Sequence, residues 1–239
     1  MYLEIVLEPD LSPKKVAELA VKAEQYGFRT LWHSNYHQNP DAWLALAPAA
    51  ERTSKINLGV LAVSPYEIHP IRIANSTATL NEMCGGRAIV AIGGGGAVLG
   101  AADVKPHRMV RGVLDCINIV KGMVSGQPFR YVGEVFSLKR PAHLSWVTQT
   151  PAKVFTCAAG PMMLNVSAKY ADGNQLSDIT PEKVGKYLEA LENPAVDNFR
   201  KSNFWAWHVK EDLEEAMDEA RRELAVRGEL FEPYDMLPY

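Results

Sequence analysis

The feature that most constrains the fold is a regular alternation of short apolar segments with longer segments of helical periodicity. The first unit runs from an apolar segment at 3–8, through a helical segment that opens at Ser12-Pro13, to a second apolar segment at 29–34. Repeated strand–helix units predict right-handed crossovers and a parallel sheet, either doubly wound or closed as a barrel. The predicted strands are 3–8, 29–34, 56–63, 87–92, 154–157, 174–176 and 203–209.

Two stretches stand apart from this alternation. Residues 131–136 predict a small hairpin outside the main sheet, and the alternate aromatic residues Trp205 and Trp207 predict a last strand whose indoles pack in the core. A charged amphipathic helix is expected over 210–227. No linker or low-complexity segment interrupts the chain, so residues 1–239 are expected to form a single domain.

Charge and composition narrow the range of partners. The chain has 25 Lys and Arg against 28 Asp and Glu, so it offers no general attraction for nucleic acid or for an anionic membrane. Its start lacks a secretory signal, and no stretch approaches the roughly 18 apolar residues of a membrane span. Cys84, Cys116 and Cys157 are widely spaced, which predicts reduced thiols, no metal site and a cytoplasmic location.

Two segments rich in small residues follow predicted strands, where ligands of parallel α/β folds bind. Gly93–Gly96 removes the side chains at one strand end, so that a ligand or backbone could approach closely. The run matches neither a dinucleotide fingerprint nor a P-loop, because the required spacing and the Gly-Lys-Ser/Thr are missing. Ala158–Pro161 leads into a helix whose free N–H groups could hold a phosphate. Each alone could be a plain turn, whereas together they favour a long phosphorylated cofactor across the rim.

The segment from His33 to His37 places two imidazoles and an amide at the end of the second strand. His33, Asn35 and His37 are therefore the candidate catalytic residues, although a polar surface loop would look the same. Metal binding is disfavoured because no acidic third ligand is evident. The sequence has no Gly-x-Ser-x-Gly elbow, which argues against acyl transfer.

Several segments between about residues 3 and 225 occur together in one known family. They are Leu44–Ala47, Ile56–Val60, Ser64–Tyr66, His69-Pro70, Thr77–Glu82, Gly86–Gly93, Lys105-Pro106, Ala159–Leu164 and Ala171–Gly173. Together they resemble the luciferase-like monooxygenase superfamily, and within it the coenzyme F420-dependent methylenetetrahydromethanopterin reductases.

The resemblance implies a TIM-like (β/α)8 barrel, usually dimeric, that holds FMN or the deazaflavin F420 at its mouth. In this family the third strand carries a bulge with a non-prolyl cis peptide behind the cofactor ring, and the equivalent bond here is Leu61–Ala62. The cofactor-binding residues expected from the strand ends and the resemblance are Ser34, Asn35, Leu61, Ala62, Val63, Gly93, Gly94, Gly95, Gly96, Ala158, Ala159, Gly160 and Pro161.

The chain departs from the family pattern in two places. Ser34-Asn35 stands where relatives that use F420 usually show Asp-His. The family barrel continues well past Arg227 through an eighth strand, so a barrel shortened at the C-terminus is expected here. Its open edge predicts a homodimer or a covering tail.

Three functions remain open on the sequence alone. The leading hypothesis is an oxidoreductase that transfers a hydride between coenzyme F420 and a small organic, pterin-like substrate. The others are an FMN-dependent monooxygenase and a non-catalytic flavin-binding or subunit-type relative. The substrate and the catalytic acid or base are not defined by the sequence.

Overall fold

The computed structural model describes residues 2–235, together with the side chains of these residues except 97 and 226–235. Its elements, in chain order, are β1 (Glu4–Leu7), α1 (Pro13–Gln25), β2 (Thr30–Ser34), α2 (Ala42–Arg52), β3 (Asn57–Val63), α3 (Pro70–Met83), β4 (Ala88–Ile92), α4 (Ala97–Ala101), α5 (Met109–Val124), β5 (Phe129–Val132), β6 (Ser137–Ala142), β7 (Lys153–Cys157), α6 (Pro161–Tyr170), β8 (Gly173–Ser177), α7 (Pro181–Glu189), β9 (Arg200–Phe204) and α8 (Leu213–Asp235).

Seven of these strands form one parallel sheet in the order β1-β2-β3-β4-β7-β8-β9. The order follows the chain without reversal, so the sheet winds in one direction as a barrel and the doubly wound alternative is excluded. An ion pair between Arg200 on β9 and Glu4 on β1 links the first and last strands. The predicted barrel is confirmed, and the parallel sheet has seven strands within the described residues.

Local sequence signals set the helix starts. The Ser12 side chain caps α1 by accepting the N–H of Lys15, and Pro13 occupies the first turn. Asp41 caps α2 in the same way through the N–H of Leu44. Gly27, with φ of 79°, allows the reversal after α1 that brings the chain into β2. The start of α1 agrees with the sequence prediction of a helix that opens at Ser12-Pro13.

The predicted hairpin exists, but it is longer than the predicted stretch of 131–136. β5 and β6 flank the stretch from 133 to 136, which forms the connection. Asp115, a buried residue of α5, accepts the backbone N–H groups of Val135 and Phe136 at 2.7 and 3.0 Å and the hydroxyl of Tyr131 at 2.9 Å. This carboxylate therefore anchors the hairpin to the barrel.

The prediction of the last strand was wrong in its position. β9 spans Arg200–Phe204 rather than 203–209, because Arg200 pairs with Gly173 in register and its side chain reaches Glu4. Trp205 and Trp207, expected in the core, are 41% and 83% exposed. An alternation of aromatic residues fits a strand, but pairing with β8 decides the register.

Contacts group the chain into two compact units, Met1–Phe204 and Trp205–Tyr239. The first contains the barrel and the hairpin, and the second contains α8. Within the second unit, His208 lies between the carboxylates of Glu219 and Glu223 at 3.3 and 2.8 Å. The prediction of one domain over 1–239 stays a prediction, and its residues 1 and 236–239 lie outside the described residues.

The lower part of the barrel interior is filled by two aromatic side chains. Trp32 and Phe155 lie with ring centroids 5.7 Å apart. Side chains at Gly59 and Gly173 would overlap these rings, so glycine at both positions makes room for them. The two rings therefore fill the interior at this level, below the C-terminal strand ends where ligands of parallel barrels bind.

Glu24 holds the chain that enters β3. Its carboxylate accepts the backbone N–H groups of Ser54, Lys55 and Ile56 at 3.0, 2.6 and 2.8 Å. Burial acts to raise the pKa of Glu24, but these hydrogen bonds and the charge of Arg87 outweigh it, so the pKa lies below its usual value. The ionised form is therefore the one that stabilises the fold.

Replacing Glu24 with alanine is expected to lower the free energy of unfolding by about 1–3 kcal/mol near neutral pH. Because the folded pKa is lowered, this contribution is present above the unfolded pKa and is lost as the pH falls through the folded value, so the difference should shrink below about pH 4. Urea denaturation of the unchanged protein and of Glu24→Ala, at neutral pH and below about pH 4, measures this difference in the free energy of unfolding. Glu18→Ala, at an exposed position of the same helix, should change stability by less than about 0.5 kcal/mol.

Candidate functional site

The third strand carries an irregularity at the barrel mouth. Pairing between β3 and β4 is regular up to Val60 and then shifts before Val63. The peptide bond Leu61–Ala62, between these residues, is cis and non-prolyl, which confirms the position implied by the family resemblance. Leu61 and Ala62 pack with Trp32 and Phe155 in the interior cluster. We call residues 61–63 the bulge, and it forms one wall of the mouth.

Asn35 contacts the bulge directly. Its backbone N–H donates to the carbonyl of Leu61 at 2.8 Å, which extends the β2–β3 ladder by one residue. Its side-chain amide donates to the carbonyl of Ala62 at 3.4 Å and to Glu67 Oε1 at 3.0 Å. Asn35 is half-buried, so the structure places this predicted residue at the rim and adds Glu67, which the sequence reasoning missed.

The other two catalytic candidates are not brought to the same place. His33 alternates with Trp32 along β2, so it faces the helices while Trp32 faces the interior. Its ring is fully buried, Nδ1 donates to the carbonyl of Ser34 at 2.8 Å, and burial lowers its pKa. His37 is exposed in the following turn. Of the three candidates, only Asn35 touches the bulge.

The glycine run has more than one role. Gly93 donates its N–H to Val63, and a Cβ there would lie 3.4 Å from the carbonyl of Cys157 and 3.9 Å from Ala62 Cβ. Side chains at Gly94 and Gly95 would overlap Met109 and Leu99, respectively. These two glycines therefore make room for the protein's own side chains. Open space adjoins Gly96, which precedes the short helix α4 that the sequence analysis missed.

The segment Ala158–Pro161 follows β7, which is two strands from β3 and the bulge in the sheet order. Gly160 is the N-cap of α6; among the described residues, no side chain caps this helix and nothing lies within 4 Å of a Cβ at Gly160. Asn174 donates to the carbonyl of Ala158 at 3.1 Å and accepts the hydroxyl of Thr156 at 2.7 Å, which fixes the turn. The first N–H groups of α6 are thus held at an open surface, as an anion site requires.

Two interior residues near the rim are chemically informative. Gln175 on β8 pairs with Cys157 and is only 2% exposed; its Nε2 donates to Leu176, whereas its Oε1 has no partner among the described residues. A buried acceptor without a partner costs about 1–3 kcal/mol, which a ligand donor would recover. Burial raises the pKa of Cys157 to about 11, so it remains a neutral thiol at neutral pH. The sequence analysis missed Gln175, although two consecutive polar residues, Asn174 and Gln175, in a short strand were a signal for it.

A separate cavity of about 350 Å³ lies at the opposite end of the barrel, at the start of β7. Lys121 and Lys153 line it, and Lys121 Nζ is 2.6 Å from Asp172 Oδ1. None of the predicted site residues belongs to this cavity. Within residues 2–235, His, Cys, Asp and Glu form no group that could hold a metal, and no helix has the length and apolarity to cross a membrane.

A parallel barrel with helices outside, a filled interior and a bulged third strand defines a TIM-like (β/α)-barrel, a class of proteins in which ligands bind at the C-terminal strand ends. The model of the luciferase-like monooxygenase family matches residues 5–236. The chain therefore belongs to this family.

Sequence relatives point to one branch of it. The 5,10-methylenetetrahydromethanopterin reductase of Archaeoglobus fulgidus is 26% identical over 231 residues, which cover 92% of this chain and 68% of that protein. The F420-dependent glucose-6-phosphate dehydrogenase of Kineococcus radiotolerans is 27% identical over 175 residues, which cover 68% of this chain and 52% of that protein.

A solved structure supports the fold. The coenzyme F420-dependent tetrahydromethanopterin reductase from Methanopyrus kandleri superposes with a TM-score of 0.76 and 23% identity, over 90% of this chain and 68% of that one. At this level of identity the likeness establishes the barrel architecture.

Proposed function

We propose that the protein is an F420-dependent oxidoreductase, which transfers a hydride between the deazaflavin and a small organic substrate of pterin-like chemistry. The observation that carries the proposal is the bulge at the barrel mouth, which contains the Leu61–Ala62 peptide and is flanked by Asn35 and Gly93. The matched relatives add support, because they are named as reductases and dehydrogenases that act on a pterin or use F420.

The residues at the mouth fit a flat ring with an anionic tail. Leu61, Ala62 and Val63 would lie behind the ring, with Gly93 and the rim residues Ser34 and Asn35 beside it. Gln175 Oε1, which has no partner in the described part of the chain, is a buried acceptor suited to a ring N–H. The phosphate of the tail would be held at Ala158, Ala159, Gly160 and Pro161, at the uncapped start of α6.

Bound F420 would supply the hydride chemistry, and the protein would supply binding, orientation and exclusion of water. The aromatic pair below the mouth sets how deep a ligand can enter. Cys157 is a neutral thiol and His33 faces the helices, so neither is assigned an acid or base role here. Of the three candidate catalytic residues His33, Asn35 and His37, the proposal retains Asn35 as a residue of the ligand site.

The proposal also includes a homodimer and a cytoplasmic location. β1 and β9 are the edges of the parallel sheet within the described residues, and unpaired strand edges favour association or a cover. All three cysteines of the chain are free thiols, as is usual in a reducing compartment. Light scattering on the samples used below gives the oligomeric state.

Titration of the purified full chain with F420 and, separately, with FMN tests the function. We expect F420 to bind with a Kd in the micromolar range or below, with a change in its absorbance spectrum, and FMN to bind more weakly. Absence of F420 binding at micromolar concentrations would reject the proposal. Preferential binding of FMN would favour the monooxygenase alternative, and normal F420 binding without turnover on a substrate panel would favour a non-catalytic relative.

A further inference from the structure

The side-chain amide of Asn35 has both of its hydrogen atoms engaged within the protein. One acceptor is the carbonyl of Ala62 at 3.4 Å, and the other is Glu67 Oε1 at 3.0 Å. An amide has two donor hydrogens and one carbonyl acceptor, so these contacts decide which way the group is turned. The carbonyl oxygen Oδ1 is left as the group available to a ligand.

Glu67 reaches this position from the turn that follows the bulge. Its backbone N–H donates to the carbonyl of Ser64 at 3.1 Å, and Ile68 donates to the same carbonyl at 3.0 Å. Ser64 Oγ also accepts the N–H of Tyr66 and donates to the carbonyl of Gly94, both at 3.2 Å. The turn is thus held by contacts that do not involve the Glu67 carboxylate, which leaves the carboxylate with Asn35 as its hydrogen-bonding partner among the described residues.

Together, Asn35 and Glu67 enclose the bulge on the β2 side. The backbone of Asn35 holds the carbonyl of Leu61 at 2.8 Å and its side chain holds the carbonyl of Ala62, so two consecutive carbonyls of the bulge bind one residue. A hydrogen bond to a carboxylate is stronger than one between neutral groups, so the Glu67 contact is the firmest restraint on the Asn35 amide.

We propose that Glu67 is a positioning residue for the ligand site: its carboxylate orients the Asn35 amide so that the amide NH2 binds the bulge and the amide carbonyl is presented to an N–H donor of the ligand. The inference rests on the proposed function, since it names how that site is held. Without Glu67, the amide can turn over and offer donors where the ligand needs an acceptor. Binding would weaken although no ligand contact of Glu67 itself is lost.

A double-mutant cycle in F420 affinity tests this inference. Asn35→Ala and Glu67→Ala are each expected to raise the Kd about tenfold, and the double variant is also expected to be weakened about tenfold, because both changes remove the same restraint. Glu67→Gln retains an oxygen acceptor and should stay within about threefold of the unchanged protein. Glu51→Ala, at an exposed carboxylate of α2, is the control for loss of a negative charge and should bind normally.

Two results would overturn the inference: an unchanged Kd in Glu67→Ala, or factors that multiply to about a hundredfold in the double variant. Failure of the unchanged protein to bind F420 would instead reject the proposed function. In that case, hydrogen exchange of peptides covering 61–66 tests, without any cofactor, whether the Asn35–Glu67 contact restrains the bulge. Exchange should be faster in Asn35→Ala and Glu67→Ala than in Glu67→Gln. Equal exchange in all three variants would exclude such a restraint.

Discussion

Replacing Arg200 with alanine is expected to lower the free energy of unfolding by about 3–5 kcal/mol, the usual cost of removing one partner of a buried ion pair. The side chain is 7% exposed; it pairs with Glu4 on β1 and donates to Thr30 Oγ1 at 2.8 Å. Glu4 Oε2 also accepts the indole N–H of Trp32 at 2.7 Å. Alanine would leave the Glu4 carboxylate in the barrel interior without a cation, and the link between the first and last strands would be lost.

Urea denaturation followed by circular dichroism measures the effect. Arg111→Ala is the matched control: its partner Glu134 lies 3.3 Å away at the surface, so the loss should stay below about 1 kcal/mol. The paired change Glu4→Gln with Arg200→Met removes both charges and should recover a large part of the stability. A loss below about 1 kcal/mol in Arg200→Ala would mean that the ion pair does not hold the barrel together.

The sequence predicts the fold well because strand–helix alternation is a local signal. The choice between a barrel and a doubly wound sheet is not local, since it depends on which strands become neighbours, and only the sheet order decides it. The last strand illustrates the same limit. The aromatic alternation of Trp205 and Trp207 suits a strand, yet the register set by Arg200 and Gly173 places both indoles outside it.

The sequence predicts a candidate site at the strand ends, but it does not show which side chains meet there. His33 and Asn35 are two residues apart in the sequence, but β2 ends between them, at Ser34. The turn that follows the strand, and not the strand pleat, directs Asn35 to the bulge. Glu67 is 32 residues from Asn35, and nothing in the spacing marks their contact. A glycine at a strand end is also ambiguous in sequence, because the space left by its missing side chain can be filled by a ligand or by a neighbouring side chain such as Met109.

Replacing Gly93 with leucine is expected to raise the Kd for F420 at least about a hundredfold. Gly93 follows Ala91 on the interior face of β4, and its Cα lies between the bulge and the end of β7. A Cβ fits there, 3.4 Å from the carbonyl of Cys157, whereas the rest of a leucine side chain would occupy the space where the ring is proposed to bind. Gly93→Ala should therefore weaken binding much less than Gly93→Leu.

The blocking effect has to be separated from a loss of folding. Overpacking at Gly93 is expected to cost about 1–3 kcal/mol, so the variant should retain its circular dichroism spectrum and unfold cooperatively. Gly100→Leu is the control, because Gly100 is an exposed residue of α4 with no described neighbour within 4 Å of its Cβ position, and F420 affinity should be unchanged there. If folded Gly93→Leu bound F420 as the unchanged protein does, the ring could not lie against the bulge, and the cofactor would have to bind elsewhere on the barrel.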